Sequence, residues 1–61
     1  MVMSEVLFEF VKQGNVVKVT AIEPNTAIEA VVVLPANLSE SEMKTRAMQK
    51  LIYVLQKEEK N

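Results

Sequence analysis

Arg46, Lys50, Tyr53 and Lys57 are the residues best spaced for chemistry. They recur at intervals of four, three and four, which on a helix brings them onto one side. A basic stripe carrying one aromatic can hold phosphates, stack a base or meet an acidic partner. Gln49 and Gln56 flank it and suit either use. The plainer account is a solvated helix face whose lysines gather toward the C-terminal end, where the macrodipole favours cations. That account carries more weight. The chain has a formal net charge of −1, so it exerts no general pull on nucleic acid or on an anionic membrane. Weak nucleic-acid binding through this stripe is kept as the alternative function.

The other reactive side chains point away from catalysis. With no histidine and no cysteine, neither a Ser–His nor a Cys–His pair can form, and the usual ligands of structural zinc are missing. Ser39 and Ser41 are accounted for by a helix start. All eight acids are glutamates and are expected at solvent-facing positions or at element ends. Glu40 with Glu42, and Glu58 with Glu59, lack the spacing of a hard-metal site and read as helix-end charges. Gly14 is the single glycine, too few for a phosphate-cradling loop. The expectation is a protein without catalytic activity, cofactor or metal.

The elements that position these residues begin with a hairpin. Val6, Phe8 and Phe10 alternate with Leu7, Glu9 and Val11, and Val17, Val19 and Ala21 alternate with Val16, Lys18 and Thr20. Period-two alternation of β-branched and aromatic residues marks strands. Gln13-Gly14-Asn15 interrupts them, and glycine supplies the positive φ of a tight hairpin turn. A two-residue loop at Gln13-Gly14 pairs Phe10 with Val17, while one at Gly14-Asn15 shifts the register and keeps the faces. The inner face is Val6, Phe8, Phe10, Val17, Val19 and Ala21. The outer face is Leu7, Glu9, Val11, Val16, Lys18, Thr20 and Ile22.

Glu23-Pro24-Asn25-Thr26 is a turn, with proline pre-setting φ at its second position. A third strand follows. Ile28, Ala30, Val32 and Leu34 are taken inward and Glu29, Val31 and Val33 outward, because the opposite choice buries an unpaired carboxylate. Pro35 ends the strand. Ser39-Glu40-Ser41-Glu42 matches a capping box, with Leu38 and Met43 placed for a hydrophobic staple. Behind it, Met43, Ala47, Met48, Leu51, Ile52, Val54 and Leu55 form the apolar arc of a helix.

The predicted fold is α+β: a three-stranded antiparallel meander followed by one C-terminal helix packed on one face, β-β-β-α. It forms a single domain over 1–61, with strands at about 4–12, 16–23 and 27–34 and a helix at about 40–58. Met1 to Ser4 are expected to fray or extend the first strand, and Glu58 to Asn61 are expected to fray. Phe8 and Phe10 are expected beneath the helix, which removes them as a base-stacking platform.

A domain of 61 residues buries only about 60% of its unfolded surface, and without disulfides or zinc it needs oligomerisation or a very good core. Leu7, Val11, Val16, Ile22, Val31 and Val33 would make an apolar outer patch of the kind that marks protein interfaces. The third strand, with its run Ala30 to Leu34, lies at a sheet edge open to pairing. The expected partner is therefore the protein itself, as a homodimer or higher oligomer, and after that another protein. No apolar run is long enough to span a bilayer and no signal peptide is visible, so the expected compartment is the cytoplasm.

The stretch SEVLFEFVKQGNVVKVTAIEPNT, Ser4 to Thr26, together with KLIYVL, Lys50 to Leu55, resembles a family of small uncharacterised alphaproteobacterial proteins of about this length. The resemblance covers most of the chain. It implies a conserved hypothetical protein and transfers no catalytic residue. In the family a glycine follows the threonine of the second turn, where this chain has Ala27. The departure touches the geometry of that turn and the facing of the third strand.

Overall fold

The computed structural model describes residues 5–59. The elements are β1 (Leu7–Gln13), β2 (Val16–Glu23), β3 (Ile28–Pro35) and α1 (Glu40–Glu59). The strands form one antiparallel sheet in the order β1-β2-β3, and the helix packs on one side of it. This is the expected meander with a C-terminal helix. Among the described residues the first strand begins at Leu7, with Glu5 and Val6 outside it, and α1 continues through Glu58 and Glu59, where fraying is expected from the sequence. The expectation for Met1 to Ser4, and for Lys60 and Asn61, lies outside the described residues.

The hairpin closes on Gln13 opposite Val16, so Gly14 and Asn15 are its loop. Gly14 has φ 64° and Asn15 is not left-handed, the pattern of a type II′ turn, whose twist suits the flanking strands. Phe10 consequently stands opposite Val19, and Phe8 opposite Ala21. The second turn holds four residues, Pro24 to Ala27, between Glu23 and its partner Ile28. The Ala27 amide donates to the Glu23 carbonyl at 2.8 Å. Ala27 itself has φ 62°, a conformation that favours glycine. The even loop count preserves the alternation, and Ile28, Ala30, Val32 and Leu34 share the inner face with Val17, Val19 and Ala21.

The core is small. Val17, Val19, Ala21, Ala30, Met43, Ala47 and Leu51 are its buried apolar residues, and Phe8, Ile28, Val32, Leu34, Leu38, Met48, Val54 and Leu55 pack around them. Ser39 opens α1 as drawn from the sequence: its Oγ accepts from the Glu42 amide at 3.1 Å. Glu42 leaves the other half of the box unmade and turns its carboxylate toward Arg46, at 3.9 Å.

The helix lies over β3 and β2 and makes little contact with β1. Two geometric facts cause this. The link from β3 is short, and a helix about 10–12 Å wide cannot cover three strands spaced about 4.8 Å apart. Phe10, expected beneath the helix, is therefore 37% exposed. Ile52, expected in the apolar arc, is also exposed. Among the described residues, no helix is long and apolar enough to cross a membrane.

Candidate interaction surfaces

The outer sheet face is the first surface. Its cross-strand rows run Leu7–Ile22–Glu29, Glu9–Thr20–Val31, Val11–Lys18–Val33 and Gln13–Val16–Pro35. Val33 and Leu7 are 63% and 51% exposed, and Val11 and Val31 are also open. Val16 and Ile22, on the central strand, are half-buried between their neighbours. The apolar residues thus stand mainly at the two margins. Lys18 and the buried Thr20 occupy the middle, so the patch is less continuous than its residue types suggest.

The helix stripe is the second surface, and here the geometry departs from expectation. Arg46, Lys50, Tyr53 and Lys57 do share a side of α1, but all four have a neighbour within the chain. Lys50 Nζ donates to the Val31 carbonyl at 2.7 Å. Arg46 faces Glu42, and Lys57 Nζ lies 5.8 Å from the centre of the Tyr53 ring. Lys50, on a face expected to be solvated, reaches across to the edge of β3. A stretched lysine side chain spans that gap because α1 sits over this margin of the sheet.

Between β1 and α1 lies a shallow groove lined by Phe8, Lys44, Thr45, Met48 and Gln49. Lys44 Nζ sits 5.7 Å from the centre of the Phe8 ring while also pairing with Glu40 at 3.3 Å. Exposed pairs of this kind contribute about 0.3–0.5 kcal/mol. A second concavity, lined by Lys12, Gly14, Asn15, Pro35, Ala36 and Asn37, lies at the hairpin end and gathers no acid or nucleophile.

Glu23, at the end of β2 where glutamates are expected, is nevertheless buried. It is 1% exposed and shares the inner-face parity of Val19 and Ala21. Its carboxylate accepts from the Asn25 amide at 3.2 Å, the Thr26 amide at 2.9 Å and the Thr26 hydroxyl at 2.8 Å. The Thr26 Oγ in turn accepts from the Ile28 amide at 3.3 Å. The Thr26 hydroxyl is the first cause that holds the Glu23 carboxyl below its ordinary value; burial opposes it, and the amides of Asn25 and Thr26 reinforce it. The arrangement is a side-chain cap on the second turn. Its signal in the sequence was an acid two and three residues ahead of Asn25 and Thr26.

Among the described residues no three His, Cys, Asp or Glu side chains gather to hold a metal ion. No curated protein and no solved structure matches the chain. A family model described as a domain of unknown function, DUF6898, matches residues 3–58. That match spans nearly the whole β-β-β-α unit, and the chain belongs to the DUF6898 family.

Proposed function

We propose that this protein is a non-catalytic bacterial module of the cytoplasm that self-associates, as a dimer or larger oligomer, and works by contact with proteins. The observation that carries the reading is the imbalance between its two sheet faces. The inner face holds a small core, while Leu7, Val11, Val31 and Val33 stay open on the outer face. Covering apolar surface stabilises at roughly 25 cal/mol per Å², and a domain with so small a core has the most to gain from it. The bacterial origin rests on the resemblance carried by Ser4 to Thr26 and Lys50 to Leu55.

The nucleic-acid alternative has less support. Lys50 is occupied by the Val31 carbonyl and Arg46 is drawn to Glu42, which leaves a stripe of few free cations. Phosphate binding of that kind would weaken steeply with salt.

The test is mass in solution by size-exclusion chromatography with light scattering, over a range of concentrations. Self-association is expected for the natural sequence; Val31→Lys, which places a charge on the outer face without unfolding the chain, lowers the mass where copies meet through that face and leaves it unchanged where they meet along the β1 edge. A monomer at every concentration would end the proposal. Retardation of mixed DNA and RNA fragments at low salt would move the reading to the helix stripe.

A further inference from the structure

The two edges of the sheet are not alike. Antiparallel ladders alternate hydrogen-bonded and non-bonded pairs, so every second residue of an edge strand turns its amide and carbonyl outward. Two observations set the phase here. The Ala36 amide donates to the Asn15 carbonyl at 2.9 Å, so odd-numbered residues of β2 turn their peptide groups toward β3. The Val31 carbonyl, opposite Thr20, points away from β2 and takes the Lys50 ammonium. Even-numbered residues of β2 therefore bond to β1, through Leu7, Glu9, Val11 and Gln13. Phe8, Phe10 and Lys12 are left with amides and carbonyls facing the free edge of β1. The β3 edge has a lysine seated on it; the β1 edge has no such guard among the described residues.

We infer that β1 pairs antiparallel with β1 of a second copy about a two-fold axis at Phe10. The inference rests on the self-association proposed above and says where copies meet. Phe10 is the middle residue of the seven in β1, so this centring overlaps the whole strand. It sets Phe10 against the partner's Phe10, Phe8 against the partner's Lys12, and Glu9 against the partner's Val11. Every outward amide and carbonyl of the strand then meets a counterpart. Charge selects the same register. Centring one residue earlier puts Glu9 directly against the partner's Glu9, and opposed like charges destabilise a pair. The centring at Phe10 instead brings a lysine ammonium to a phenylalanine ring, an attraction the chain already uses between Lys44 and Phe8. The exposed flank of Phe10 gains an aromatic neighbour on the inner face. No helix obstructs the approach, because α1 sits over β2 and β3. On the other face Val11 stands against the partner's Glu9 and Leu7 against the partner's Gln13.

Amide hydrogen exchange on the natural sequence, read beside the mass, tests this. In a free β1 edge the amides of Phe8, Phe10 and Lys12 exchange freely while those of Glu9 and Val11 are protected. In the paired dimer all five are protected, and raising the protein concentration slows Phe8, Phe10 and Lys12 by at least about tenfold. Lys12→Pro is the companion variant. Proline removes only an outward amide and is tolerated on an edge strand, so the chain is expected to fold and stay monomeric. An oligomer whose Phe8, Phe10 and Lys12 amides still exchange freely would overturn edge pairing and leave self-association standing. A monomer at all concentrations would overturn both.

Discussion

Ala27 and Glu23 show how one turn concentrates the strain and the charge of this small protein. Ala27 sits at φ 62°, where a Cβ costs roughly 1–2 kcal/mol. Ala27→Gly removes that cost and gives back part of it as chain entropy, so we expect a net gain of about 0.5–1 kcal/mol, read as a higher urea midpoint. Glu23 carries a sign that can be worked out. Its carboxyl is held below the ordinary value, first by the Thr26 hydroxyl. Its contribution is complete above the unfolded-chain value of about 4.3 and is lost as pH falls through the lower folded value. Thr26→Val withdraws the hydroxyl, so the carboxyl should titrate higher and acid unfolding should begin at a higher pH. Carboxyl-resolved NMR and circular dichroism against pH read both effects; an unmoved acid midpoint would mean that the hydroxyl is not what holds Glu23 charged.

At the scale of elements, the legible parts of the sequence are those set by neighbours along the chain. Ser39 caps α1 because its hydroxyl need reach only three residues ahead. The faces of β1 and β2 follow from alternation alone, and the two-residue loop at Gly14 preserves it. What was not legible depends on placement in space. Glu23 stands at a strand end, and only the four-residue turn that follows supplies the donors that close over its carboxylate. Phe10 has the right parity for burial but lies where the single helix does not reach. Lys50 bonds to a carbonyl nineteen residues away, and no periodicity announces that. The contact makes a prediction about the element it touches. Lys50→Met keeps the length of the side chain and removes its donor. Monomer stability should fall by only about 0.5–1.5 kcal/mol, while the β3 edge is left open, and light scattering should then detect species larger than those of the natural sequence.

For the whole molecule, the ratio of core to surface governs behaviour. The described residues bury few large apolar side chains, with Leu51 and Val19 the largest that are fully covered. Stability drawn from association depends on mass action. The thermal midpoint is therefore expected to rise with protein concentration, and calorimetry over a hundredfold range, roughly, would register it; a constant midpoint would place the stability within the single chain.

In the language of polymer growth, the lysine seated on Val31 sets the functionality of the monomer. A sheet with two reactive edges is bifunctional and adds units without end, as open heterologous assemblies do. On the β1 pairing inferred above, stopping the other edge with Lys50 makes the unit monofunctional, and a monofunctional unit that couples through its remaining edge terminates at two.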